Sequence, residues 1–484
     1  MKSQTPLAST TRKNPLALDE ETMRQLGYQA VDTLVQHYAD VRNKPVVSPA
    51  RAGRCLPESM LGFSPGGKDP CGVLQTTIDS VFEQCMHLIH PRFFAYIPGP
   101  SNFVSAIADM LVSGFNIFAG TAPHNLGPYE IECATIRWLC NLAGMNEEAG
   151  GLFVSGGSVA SLTALAVARQ IKLENQIEDT VIYYSSETHS SIDRALFILG
   201  FREDQIRELP PDNQLRLAPD QLEAAIKQDR AAGRRPFCLV GNAGTTNTGA
   251  VDPLDALADI CQRESLWFHV DAAYGGGALL TEQERAQFNG IERADSIALD
   301  PHKWLFQPYE CGCILVRERE WLRTTFRRLP DYMRDTDAGP GMTNYRDMSP
   351  QVTRSFKAFK LWLSLQVFGI DAFRQAVERG LELARFTQEY LQKRPAWEVV
   401  TPATLGVVTF RYVVDHYTDQ ELDRINSALI DRVNDDGFAF FSSTLLFGKR
   451  VNRICPLHPG LTQDDITQTV ERLEAIAEEL ENNE

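Results

Sequence analysis

Leu266–Gly276 reads LWFHVDAAYGG, and Ser296–Trp304 reads SIALDPHKW. The apolar runs Leu266–Val270 and Ile297–Leu299 are short and read as buried strands. Asp271 follows the first and Lys303 lies just past the second. In an open α/β sheet, side chains at the carboxyl ends of strands project into the ligand crevice. A carboxylate and a lysine delivered there can form a salt bridge. They can also serve pyridoxal phosphate, which needs a lysine to condense with its aldehyde and a carboxylate to keep its ring nitrogen protonated. The pair alone leaves both readings open.

Three other predicted strand ends lie upstream. GLFVSGGSVASLTALAVAR, Gly151–Arg169, is an apolar run, a Ser-Gly-Gly-Ser turn and a helix; such a turn exposes backbone N–H groups to an anion. No Gly-Lys-Ser/Thr closes it, so it is not a Walker loop. TVIYYSSETHSSI, Thr180–Ile192, places His189 just beyond a strand at Val181–Tyr184. PFCLVGNAGTTNTGAVDP, Pro236–Pro253, ends a strand at Cys238–Gly241 in a Gly-Thr-Thr turn. An anion turn, a histidine, an aspartate and a lysine in this order are far more specific than any one of them.

HVDAAYGG followed by ADSIALDPHKW resembles the group II pyridoxal-phosphate-dependent amino acid decarboxylases, and within them the aromatic-L-amino-acid decarboxylases, from about Asp19 to the C-terminus. The resemblance implies the aspartate aminotransferase-like fold, an α/β architecture of fold-type I: a large domain with a mostly parallel sheet and a small α+β C-terminal domain. It implies Lys303 as the cofactor lysine, Asp271 at the ring nitrogen, His189 stacked on the ring, and His302 at the phosphate or the leaving carboxylate. Gly157, Ser158, Thr246, Ala273 and Arg354 complete the implied cofactor contacts, with Thr245 the alternative to Thr246. Many relatives have a second basic residue where Ser355 stands. HPRFFAYIPGPSNF, His90–Phe103, implies an aromatic substrate pocket at Tyr96, Ile97 and Phe103. PDYMRDTDAGPGM, Pro330–Met342, reads as a mobile surface loop, and the resemblance implies that it carries a catalytic tyrosine, Tyr332. GTAPHNLGPYE, Gly120–Glu130, matches a loop that reaches a neighbouring active site, although His124 departs from the usual pattern.

The chain has 484 residues, 43% hydrophobic and 23% charged, ordinary for a globular protein of more than one domain. A formal net charge of -16 argues against nucleic acid or an anionic membrane as partner. No apolar run approaches the roughly 18 residues of a membrane span. The first residues, MKSQTPLASTTRKNPLA, lack an apolar core and are not read as a secretory signal. None of the ten cysteines stands in a C-x-x-C pair; Cys311 and Cys313 read as core residues rather than a metal site, and a reducing cytoplasm fits.

Residues 1–90 read as a tail and a helical dimerisation segment, 91–387 as the large domain and 388–484 as the small one. Asp19–Arg42 is predicted as an amphipathic helix with Met23, Leu26, Ala30, Leu34 and Tyr38 on one face. Within Ser349–Phe368 a helical stripe runs through Phe356, Phe359, Trp362, Leu363 and Val367, and Ile466–Leu480 marks the last helix, capped by Thr462 with Asp465. The expected activity is decarboxylation of an aromatic L-amino acid by a cytoplasmic homodimer with pyridoxal phosphate and no metal. An aromatic aldehyde synthase, a decarboxylase of a non-aromatic amino acid and a non-catalytic scaffold are the alternatives.

Overall fold

The computed structural model of the chain describes residues 14–48, 56–328, 331, 338 and 342–481. These residues form two compact units. One comprises residues up to Lys44 together with Ser48–Met86, and the other Pro45–Val47 with His87 onwards.

In the first unit, the helix Glu20–Asp40 is capped by Asp19, whose carboxylate accepts the Thr22 N–H at 2.8 Å. It packs against a second helix, Pro70–Ser80, where Gln29 bonds Gln75 at 3.0 Å. The apolar stripe of the first helix is covered only in part: Leu26, Ala30, Leu34 and Tyr38 are half-buried and Met23 is exposed.

The second unit is built on a seven-stranded sheet. In chain order its strands are β1 (Gly150–Val154), β2 (Thr180–Ser185), β3 (Ile206–Leu209), β4 (Arg235–Asn242), β5 (Trp267–Asp271), β6 (Ser296–Leu299) and β7 (Gly312–Val316). The spatial order is β1-β7-β6-β5-β4-β2-β3, and β7 alone runs antiparallel to its neighbours. Alternate residues feed two separate cores. Phe153, Leu239, Phe268, Ile297 and Leu315 enter one, and Leu152, Val240, Trp267, Ala298 and Ile314 the other. Burial on both faces explains why these strands read as continuous apolar runs.

A four-stranded antiparallel sheet follows, ordered β10-β11-β9-β8, from β8 (Trp397–Thr404), β9 (Val407–Tyr412), β10 (Ser442–Leu446) and β11 (Lys449–Ile454). Helices Asp419–Asp436 and Gln463–Glu481 pack with it around a third core. Thr462 and Asp465 cap the last helix reciprocally, with Thr462 N–H to Asp465 at 2.9 Å and Asp465 N–H to the Thr462 hydroxyl at 3.2 Å.

The helical stripe within Ser349–Phe368 forms a helix from Ala358 to Phe368, preceded by bends that begin at Pro350. At the end of His90–Phe103, Asn102 caps a helix, Phe103–Phe115, by accepting the Ser105 N–H at 2.9 Å. Among the described residues no helix is long and apolar enough to cross a membrane, and no group of three His, Cys, Asp or Glu side chains could hold a metal ion. Cys311 and Cys313 are both buried in the first core.

Candidate active site

Five strand ends converge on one cavity of about 260 Å³. From β1 comes the Gly156-Gly157-Ser158 turn into the helix Gly157–Leu173. His189 and Ser191 follow β2, and Asn242, Gly244, Thr245 and Thr246 end and follow β4. Asp271, Ala273 and Tyr274 end and follow β5; Asp300, His302 and Lys303 follow β6.

The Asp300–Lys303 turn is fixed by backbone bonds, Lys303 N–H to Asp300 O at 2.9 Å and His302 N–H to Cys311 O at 3.1 Å. Lys303 Nζ lies 3.1 Å from Asp300 Oδ2. His302 Nε2 lies 3.5 Å from the same oxygen. The Cys311 N–H donates to His302 Nδ1 at 3.1 Å, which assigns the neutral imidazole's hydrogen to Nε2. Burial holds the His302 pKa below the ordinary imidazole value. Burial also pulls the Lys303 ammonium down, but Asp300 and then Asp271 outweigh it, and its pKa stands above the lysine norm.

Asp271 ends β5 with its Oδ1 accepting the Ala273 N–H at 3.0 Å. Beneath it on the same face of the strand, His269 is fully buried between Ser296 (2.9 Å) and Ser161 (3.3 Å), which ties β5 to the helix Gly157–Leu173. Burial lowers the His269 pKa to about 4. His189 Nδ1 accepts the Ser191 N–H at 3.2 Å, so a neutral His189 carries its hydrogen on Nε2. The Thr245 hydroxyl is engaged within its own turn by Thr248 (3.0 Å) and the Ala250 N–H (3.1 Å), whereas no such bond engages the Thr246 hydroxyl. Asn242 is held by Asp252 at 3.0 Å and donates to Thr188 Oγ1 at 3.0 Å, next to His189.

The glycines of the β1 turn are required by close approach. A Cβ on Gly157 would stand 2.9 Å from Asp300 Oδ2 and 3.0 Å from Ala273 Cβ, and one on Gly156 would stand 3.1 Å from His302 Cε1. A cradle that a single carbon would fill, N–H groups at a helix start, a lysine and an aspartate at facing strand ends: this donor set fits pyridoxal phosphate.

Lys303, Asp271, His189, His302, Gly157, Ser158, Thr246 and Ala273 thus border one cavity. Arg354 does not. Its guanidinium is buried against Glu132 at 2.6 Å and bonded to the carbonyls of Phe153 (2.9 Å) and Ala119 (3.2 Å). The three expected substrate-pocket residues do not border the cavity either. Ile97 is packed into the first core, Phe103 opens a helix, and Tyr96 is exposed with φ +55°. The Tyr96 carbonyl is tied to the site indirectly, through Arg453 at 3.2 Å, whose Nε also holds Asn247 O at 2.9 Å. Tyr332 lies outside the described residues. Asp300 and Asn242 line the cavity without having been singled out as site residues; each stands at or just past a strand end, as Asp271 does.

Residues 69–413 match the family described as the pyridoxal-dependent decarboxylase conserved domain. The chain is 45% identical over 467 residues to an aromatic-L-amino-acid decarboxylase of Bacillus atrophaeus, covering 96% of this chain and 97% of that one. It is 30% identical over 467 residues to a phenylacetaldehyde synthase of Arabidopsis thaliana, covering 92% and 94%. The crystal structure of Oryza sativa TDC with PLP and tryptamine superposes with a TM-score of 0.90 at 27% identity, covering 96% of this chain and 99% of that one.

Proposed function

The chain belongs to the pyridoxal-dependent decarboxylase family, and from that membership we propose that it converts an aromatic L-amino acid to its amine and carbon dioxide with pyridoxal phosphate as cofactor. The observation that carries this reading is the meeting of Lys303, Asp271, His189 and the Gly156–Ser158 turn in one cavity. When bound, the cofactor supplies an aldehyde for the substrate amine and a conjugated ring that takes up the electron pair of the broken Cα–carboxylate bond.

The protein's part is to bind, orient and move protons. Lys303 provides the amine that anchors the cofactor and later releases the product. Asp271 keeps the ring nitrogen protonated, since a nearby negative charge favours the protonated form. The Gly157 and Ser158 N–H groups, at a helix start, take the phosphate, with Thr246 and Ala273 beside them. His189 borders the cavity with its Nδ1 held by Ser191, and its ring would stack on the cofactor. His302, neutral, supports Asp300. Tyr332 delivers its phenolic proton to the Cα that has lost its carboxylate; a phenol with an ordinary pKa near 10 is protonated at neutral pH. The working unit is a cytoplasmic homodimer.

The test is a turnover screen of the purified enzyme over the common amino acids, DOPA and 5-hydroxytryptophan, quantifying amine, aldehyde and carbon dioxide. Amine from aromatic substrates is the expected product. Aldehyde with peroxide in place of amine would establish the second reading, an aldehyde synthase, which the phenylacetaldehyde synthase relative raises.

A further inference from the structure

Asp300 has no role in the mechanism above, yet it lies at the centre of the site. Its side chain is 3% exposed. Oδ2 faces Lys303 Nζ at 3.1 Å, and Oδ1 is buried without a hydrogen-bond partner. The carboxyl group lies against the glycine cradle: a Cβ on Gly156 would stand 3.8 Å from Oδ1. A buried polar atom is seldom left unsatisfied, so an orphan oxygen beside an anion cradle marks a group whose partner arrives with the ligand. We propose that Asp300 is the base that takes the proton of the Lys303 ammonium as the cofactor loads, and that it then stays uncharged beside the phosphate.

The inference rests on the reading that Lys303 carries the cofactor. An ammonium cannot attack an aldehyde, and Asp300 and Asp271 both favour the charged lysine over the opposing effect of burial. Solvent can take the proton slowly, and a neighbouring base at hydrogen-bond distance takes it faster. His302 is closed to it, with Nδ1 taken by the Cys311 N–H and the hydrogen on Nε2. His189 Nδ1 is taken by the Ser191 N–H. Burial raises the Tyr309 phenol and the Cys311 and Cys313 thiols, which therefore hold their own protons. Asp271 faces Lys303 by charge, and its Oδ1 is bonded to the Ala273 N–H. Of the nearby cations, Lys360 is paired with Asp109 at 2.7 Å and Lys357 with Glu310 at 2.7 Å. Asp300, at hydrogen-bond distance, remains.

The step balances. One proton passes from Lys303 Nζ to Asp300 Oδ2, and the freed lone pair attacks the aldehyde carbon. The carbon–nitrogen double bond forms as the two remaining N–H hydrogens leave with the carbonyl oxygen as water; nothing is oxidised or reduced. Once Lys303 loses its charge, an ionised Asp300 would be a buried like charge beside the phosphate. The transferred proton removes that conflict and gives the carboxyl group a hydrogen to donate.

The test uses cofactor-free wild type, Asp300→Asn, Asp300→Glu and Lys303→Ala. Stopped-flow absorbance follows the covalent link with pyridoxal 5'-phosphate. Calorimetry with pyridoxine 5'-phosphate, which has no aldehyde, reports the phosphate seat alone. Asp300→Asn should slow linkage about a hundredfold while binding pyridoxine 5'-phosphate as tightly as wild type or tighter, and its linkage rate should climb with pH as solvent replaces the missing base. Asp300→Glu, which keeps a base, should recover much of the rate. Linkage by Asp300→Asn at the wild-type rate would overturn the proposal, as would equal losses of linkage and pyridoxine 5'-phosphate binding, which mark a purely structural residue. A wild-type link that survives unchanged in Lys303→Ala refutes the reading of Lys303 itself, a separate outcome.

Discussion

Asp271 and Lys303 could be read from the chain because one follows the apolar run of β5 directly and the other lies four residues past the end of β6, and the structure places both at the cavity. Asp271→Asn should keep bound cofactor but lose turnover about 100–1000-fold, the usual effect of removing one electrostatic contact from a reacting centre; near-normal turnover with full cofactor absorbance would remove Asp271 from the chemistry. Tyr332→Phe should divert product from amine toward aldehyde, ammonia and hydrogen peroxide, because Cα no longer receives its proton and dissolved oxygen can react instead; an unchanged amine rate with no aldehyde would dismiss the tyrosine. His269 gives a pH prediction. Its pKa is about 4 folded against 6.5 unfolded, through burial first. Between those values the unfolded chain binds a proton that the folded chain cannot. The stability present above pH 6.5 is therefore lost as pH falls toward 4, by up to about 1.4 kcal/mol per unit. Urea titrations at pH 7 and pH 5 should show a smaller loss in His269→Gln than in wild type, and equal losses would contradict the assignment. Arg354 stands away from the cavity because its guanidinium is claimed by Glu132, 222 residues away, a pairing that no local pattern announces. Asp300 does not announce itself in the sequence, since a carboxylate three residues before a lysine reads as part of a turn.

The strand-to-helix turns of the large sheet were legible because buried parallel strands leave unbroken apolar runs. The small sheet was legible only in part. β8 and β10 are mostly half-buried or exposed, so neither a continuous apolar run nor a clean alternation marks them, while fully buried β9 stands out. The helix Phe103–Phe115 was hidden by the Pro-Gly-Pro segment before it and declares itself only through the Asn102 cap. β7 holds a less visible constraint. Gly312 lies outside the cavity lining, but a Cβ there would stand 2.3 Å from the Gly156 Cα, backbone that cannot swing aside. Gly312→Ala should push the β1 turn out of place, lowering stability by about 1–3 kcal/mol and loosening the cofactor. Thermal melting with and without pyridoxal phosphate checks this. A variant that melts and holds cofactor like wild type would mean that β7 and the turn yield more easily than their spacing implies.

The second unit leaves large apolar side chains uncovered. On the helix Phe103–Phe115, Met110, Leu111 and Phe115 are exposed, Phe115 at 77%. Packed against that helix is Ala358–Phe368, where Val367 and Phe368 are exposed, as is Ile370 just beyond it. The first unit repeats the pattern by itself: no residue of the helix Glu20–Asp40 is fully buried, although its sequence carries an apolar stripe. Scattered exposed apolar residues are ordinary, but several on two packed helices would suit an association surface. A two-fold interface uses each side chain twice, and fully burying one Phe or Leu contributes about 1.5–3 kcal/mol. Half a dozen such burials exceed the roughly 8 kcal/mol of a micromolar dimer by a margin that can absorb the entropy of association. Sedimentation of the wild type should therefore give a dimer at micromolar concentration. Phe115→Glu with Leu111→Glu should shift it toward monomer, since a charge forced into a buried contact is costly. Activity should fall with the dimer fraction on dilution if each site draws on its neighbour. A wild-type monomer with full activity at low concentration would show that one chain completes its own site and that these apolar faces serve something else.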